Sequence, residues 1–414
     1  MQQYCVSNNP YESPWWKSLG PGFVVAATGV GAGDLIAAAV AGQKFGLAVL
    51  WVVLLGALFK AVLNEGVSRW QLATGTTLIE GWIQRLPRWV SWYFLVYLCF
   101  WSFLVAAALV SACGVAANSL VPGLSVHTWA VLHSLLGAIL VWTGRYSVFE
   151  SLMKVLIASM FLIVIVCAFW MGTPLSEFFA GVLIPTIPTG SSKLLLGLMG
   201  GVGGSATLLC YGYWIREKGW SGRELQRRTW FDLGSAYCLT ALFAMALIVI
   251  AAGAQPGDAS GKALILALSE RLGDLLGPVG KTVFLIGFWC AVFSSLLGVW
   301  QGVPYLFSDY ISQIGRKPAS TALNRTRSYR GFLLYLAIPP LALLFFQKPL
   351  AIVILYAVAG AFFMPFLASM LLIMNNQRDW VGTMKNGLLI NIALASSLVL
   401  FGLLFGFELA NRFF

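Results

Sequence analysis

An all-α membrane protein of about eleven spanning helices, built as two inverted halves of five plus one more helix, is what this sequence predicts. Three observations carry the prediction. The 414 residues are 59% hydrophobic and only 10% charged, against about 25% charged in an ordinary soluble domain. Apolar stretches long enough to cross a hydrocarbon core of about 30 Å recur along the chain. Two glycine-dense breaks fall at matching positions in the two halves. The same composition excludes a disordered chain, which would be rich in charge and poor in apolar residues.

In chain order, residues 1–19 are polar and contain prolines, with no charged n-region ahead of an apolar run. They are expected to form a cytoplasmic segment rather than a cleaved signal. The first half, 20–171, holds apolar spans near 20–42, 46–66, 91–120, 127–143 and 147–171. The second half, 194–374, holds spans near 194–215, 230–254, 280–303, 331–346 and 350–374, and an additional helix lies within 387–414. The runs are too long and too evenly apolar for the period-two alternation of a membrane barrel.

The cations sort by side. Arg69, Arg85, Arg88 and the basic loops 216–228 and 316–330 share one side, which a positive-inside bias makes cytoplasmic. The chain is thus expected to cross an inner membrane several times with its N-terminus in the cytoplasm, as a monomer whose surroundings are the lipid bilayer. The net charge of +11 is then an orientation signal and no sign of a nucleic-acid partner. Only Lys60 and Lys154 fall within spans. The seven cysteines have no metal-type spacing and read as small apolar residues in packed or lipid-facing helices.

The chemistry concentrates at the two breaks. Thr28-Gly29-Val30-Gly31-Ala32-Gly33-Asp34 interrupts the first span, and Gly200-Gly201-Val202-Gly203-Gly204-Ser205-Ala206-Thr207 interrupts the sixth. Each Gly costs about 1 kcal/mol against Ala inside a helix, so such density loosens the backbone. Close helix packing through small residues is the plainer account of the glycines. Asp34 favours a broken helix, because an acid inside a span is costly and marks an ion or substrate path. Its carboxylate and the freed carbonyls of 28–33, including those of Thr28, Gly31 and Gly33, could ligate a hard cation. Gly203, Ser205 and Thr207 would face it from the sixth span. Glu65 and Arg69 are spaced to share a helix face and suit a structural or gating ion pair. Asp232, Ser294 and Ser295 are further candidates for gating or coupling, and His127 and His133 are expected at the membrane interface. No Ser-His-Asp pattern, P-loop, dinucleotide fingerprint or zinc motif is present, so neither an enzyme nor a bound cofactor is expected.

Gly20-Pro21-Gly22 through Gly46, then Val49-Leu50-Trp51 and Leu72-Ala73-Thr74-Gly75, resemble the first two helices of the Nramp divalent-metal transporters. The likeness extends to the Gly-Val-Gly-Gly-Ser of the sixth span, Ser294-Ser295 with Gly298, Gln301-Gly302 and Met364-Pro365-Phe366. It implies a LeuT-type fold with a cation site between broken helices 1 and 6. The family's Asp-Pro-Gly-Asn falls on Gly31-Ala32-Gly33-Asp34, so the metal-binding Asp position is Gly31 and a carboxylate returns at Asp34. Its Met-Pro-His falls near Gly204-Ser205-Ala206, which removes the soft thioether and the proton-handling His. The third span carries no acid, and the tenth has no counterpart of the family's Gln between Leu355 and Met364. These losses resemble those of the Nramp-related magnesium transporters. The expected function is secondary transport of a hard divalent cation, Mg²⁺ or Mn²⁺, by alternating access with weak or absent proton coupling, and with Asp34 on the metal. Two other readings stand beside it: transport of a small organic solute in a cavity with Tyr211, Tyr213, Phe362 and Phe363, and a non-transporting membrane sensor.

Overall fold

Backbone polar groups in hydrocarbon must be satisfied within their own segment, and helices do this for each apolar run. The computed structural model describes residues 20–143, 146–201, 204–254, 262–315, 323–346 and 349–413, and among them there is no strand. The expected segment 1–19 and Gly203 lie outside the described residues.

The first span is two helices, α1 (Pro21–Gly29) and α2 (Ala32–Phe45), separated at Val30 and Gly31. Then follow α3 (Leu50–Thr74), the short α4 (Leu78–Arg85), α5 (Arg88–Leu120), α6 (Val126–Thr143), α7 (Tyr146–Trp170) and α8 (Leu175–Leu183). The sixth span is again divided, into α9 (Ser192–Gly201) and α10 (Cys210–Glu217), with a tighter 3-10 turn at Ala206–Leu209 between them. The chain continues through α11 (Gln226–Ala254), α12 (Lys262–Ile314), α13 (Arg327–Ala337), α14 (Pro349–Met374), α15 (Arg378–Val381) and α16 (Leu388–Phe413). Each of the eleven apolar stretches therefore has a helical counterpart. Among the described residues, 7 helices are long and apolar enough to cross a membrane, or 8 if the bent pair before the C-terminus is one span.

Length differs from expectation where glycine and proline act. The second span runs on as α3 to Thr74, where Gly75 takes the left-handed conformation that ends a helix at low cost. The eighth span extends in both directions within α12, which breaks at Gly277 (φ 75°) ahead of Pro278. The short helices α4 and α8 were hidden by their length.

The most extensive packing joins α5 to α12, α2 to α11, α14 to α16 and α5 to α6. Trp70, Trp82, Trp101, Trp214 and Trp300 are fully buried between helices. Large apolar side chains such as Leu58, Trp92, Val96, Phe100, Leu162 and Phe169 are exposed on the outside of the bundle, as a hydrocarbon-facing surface requires. The cysteines described are all free, most of them buried. Of the two histidines, His133 departs from the interfacial expectation, while His127 is exposed in the first turn of α6. His133 is buried between α6 and α12, its Nδ1 donating to the Trp129 carbonyl (2.7 Å) and its Nε2 accepting from Trp289 (2.9 Å). That pairing holds it as a neutral imidazole with both nitrogens satisfied. His127 meets the Leu344 carbonyl at 3.1 Å.

Candidate functional site

The two breaks lie against each other. Gly204 adopts φ 84°, a left-handed conformation that favours glycine, and a Cβ built on it would lie 3.6 Å from the Cα of Gly29. The C-terminal ends of α1 and α9 thus point into one region, where their carbonyl dipoles favour positive charge. This is the half-helix arrangement that coordinates cations in discontinuous transmembrane helices.

The sequence-derived candidates divide. Ser205 is buried, and its Oγ has no hydrogen-bond partner among the described residues. A buried hydroxyl without a partner is costly, and a ligand or water would satisfy it. Thr207 is also buried, and its Oγ1 lies 2.4 Å from where a Gly204 Cβ would be. Thr28 turns the other way: its Oγ1 donates to the Val24 carbonyl (2.6 Å) within α1, and its side chain packs on Gly298 of α12. Gly31 is buried and its carbonyl accepts from Leu35 at 3.1 Å, while Gly33 is half-buried. Asp34 is in the first turn of α2, with its side chain outside the described residues.

Ser294 and Ser295 meet the first break directly. Where α1 ends, its last carbonyls lose helical donors. Ser294 donates to Ala27 (3.2 Å) and Ser295 to Thr28 (2.8 Å), so α12 supplies them.

Asp232 lies elsewhere, at the N-terminal end of α1. It accepts from the backbone N–H of Gly20 (3.3 Å) and Gly22 (2.7 Å) and from the Tyr211 hydroxyl (2.9 Å). A carboxylate there satisfies orphan donors and complements the helix dipole. The close approach depends on Gly22, since a Cβ there would sit 2.4 Å from the Asp232 carbonyl oxygen. Beside it, Glu150 pairs with Lys218 (2.7 Å) and Lys154 (2.8 Å). α10 is further joined to α12 by Tyr213 to Asp309 (2.6 Å), Trp214 to Gln301 (2.6 Å) and Tyr305 to Glu217 (2.6 Å). Glu65 and Arg69 form a buried ion pair at 2.6 Å, and Arg69 also reaches the carbonyls of Met384 and Lys385 at 3.4 Å. That pair ties α3 to the chain entering α16.

Of the residues envisaged for an aromatic cavity around an organic solute, Tyr211, Tyr213 and Phe363 are buried within the bundle. The Tyr211 and Tyr213 hydroxyls are engaged by Asp232 and Asp309, and Phe363 packs against Tyr97 with ring centres 5.2 Å apart. The side chain of Phe362 lies outside the described residues.

One site residue carried no functional weight in the sequence. Lys60 of α3 is fully buried, and its Nζ donates to the carbonyl of Gly204 in the second break. A lysine in the middle of an apolar span was the available signal.

A family model described as natural resistance-associated macrophage protein-like matches residues 22–407. The divalent metal cation transporter MntH of Chromohalobacter salexigens is 29% identical over 207 residues, 47% of this chain and 46% of the relative. The chain spans less than half the length of the first two curated relatives it matches. Among solved structures, a manganese transporter of Eremococcus coleocola superposes with TM-score 0.77 at 16% identity, over 95% of this chain and 87% of that one. MhsT in complex with L-phenylalanine superposes at 0.65 with 16% identity, over 93% and 97%. At such identities the likeness shows the fold.

Proposed function

The chain belongs to the Nramp family, and on that premise we propose that it carries a hard divalent cation, Mg²⁺ or Mn²⁺, across the inner membrane by alternating access. The observation that carries this reading is the unpartnered Ser205 hydroxyl at a break where two helix C-termini converge. Carbonyl and hydroxyl oxygens, with Asp34 as the carboxylate, make a hard donor set suited to these ions rather than to softer metals. No group of three or more His, Cys, Asp or Glu that could hold a metal is found among the described residues, so water would complete the shell. Spans one to five and six to ten would move as inverted repeats around this site, the N-terminus on the cytoplasmic side and the chain acting as a monomer. Proton coupling would be weak, because α5 has no acid along its 33 residues.

Asp34→Ala reconstituted in liposomes should lose saturable Mg²⁺ or Mn²⁺ uptake while keeping its thermal unfolding profile. Uptake at the wild-type rate would sink the site.

A further inference from the structure

We infer that the ammonium of Lys60 is a tethered cation that holds the Gly204 carbonyl of the second break and competes with the metal for it. The inference rests on the metal-transport reading and concerns the same site. Its basis is geometric. Lys60 is 0% exposed at mid-helix in α3, where an ionisable group within a span marks a functional path. Its Nζ donates to the Gly204 carbonyl, and Gly204 stands in van der Waals reach of the end of α1. The approach is built into the packing. Gly56 lies one turn earlier on α3, and a Cβ there would sit 3.0 Å from the Met199 backbone, so α3 runs hard against α9. Lys60 therefore projects from a rigid contact and not from a loose surface.

The chemistry follows from the helix ends. The C-termini of α1 and α9 present partial negative charge that attracts a cation. The ammonium meets that need at the Gly204 carbonyl of the second break. A divalent ion seeking the same oxygen meets a fixed like charge at close range in a low-dielectric interior, where repulsion is strong. Lys60 would then set a weak affinity for metal, which eases release after each crossing.

Isothermal titration with MnCl₂ and MgCl₂ of the full chain in lipid nanodiscs tests this, comparing wild type, Lys60→Met and Lys60→Arg. Lys60→Met should bind metal at least 10-fold tighter than wild type, whereas Lys60→Arg, which keeps the charge, should gain nothing. Lys60→Gln replaces Lys60→Met if the latter does not fold. Metal binding by wild type that is equal or weaker in Lys60→Met overturns the tethered cation and leaves the metal reading standing. Binding by Lys60→Met alone supports the tethered cation and sinks metal as the wild-type cargo. No metal binding by either protein overturns both.

Discussion

Glu65 and Arg69 show how a few buried charges are made tolerable. Their pair at 2.6 Å is almost fully removed from solvent, and Nη1 of Arg69 donates to two carbonyls. Breaking a buried pair leaves an uncompensated charge and costs about 3–5 kcal/mol, while replacing both partners with apolar residues is often nearly neutral. Glu65→Leu and Arg69→Met alone should each lower the unfolding temperature sharply. The double variant should recover much of the loss in a double-mutant cycle of thermal denaturation. Equal, additive losses would show that the pair does not act as a unit. Ser205 is the opposite case, a buried hydroxyl with no hydrogen-bond partner among the described residues.

Broken helices need support at both kinds of end. α1 is held at its start by the Asp232 carboxylate and at its finish by Ser294 and Ser295, so two different elements, α11 and α12, fix one nine-residue helix. α10 is held by the same two neighbours, through Tyr211 to Asp232 and through Tyr213 and Trp214 to α12. At the N-terminal end of α1 the Asp232 carboxylate thus links α1, α10 and α11. Hydrogen bonds to a charged group contribute about 1.5–3 kcal/mol each. Asp232→Ala should increase amide exchange in the first turn of α1 by at least about 10-fold while leaving α5 unchanged. Unchanged exchange at Gly22 would show that α1 is held by packing alone.

For the whole molecule, the outer surface is apolar and the interior holds the polar networks. Trp92 and Trp170 are exposed on the outside, whereas Trp70, Trp82, Trp101, Trp214 and Trp300 are buried. In bilayers with brominated acyl chains, tryptophan emission should be quenched in part, and Trp170→Phe should reduce the quenched fraction. Complete quenching would mean the bundle is far looser than described. Much of this level was legible beforehand. Long apolar runs imply helices because no other spanning structure satisfies the backbone without a closed barrel. Glycine density located both breaks. Less was legible at the site. Thr28 belonged to the right segment, yet its hydroxyl returns to Val24 and its side chain faces Gly298. His133 looked interfacial because neither Trp289 nor its burial can be read from a local run. In the sequence Lys60 is legible only as a cation within a span.

Composition, span length and the placement of glycine were enough for the class, the helical architecture and the region of the breaks, since each is a local consequence of hydrocarbon as solvent. Direction is not local. Which partner Asp232 finds, which carbonyls Ser294 and Ser295 donate to, and that the Lys60 ammonium enters the second break depend on contacts between residues far apart in sequence. A helix turns about 100° per residue, so one position along a span decides whether a side chain meets lipid, a neighbour or the site. Packing alone makes that choice.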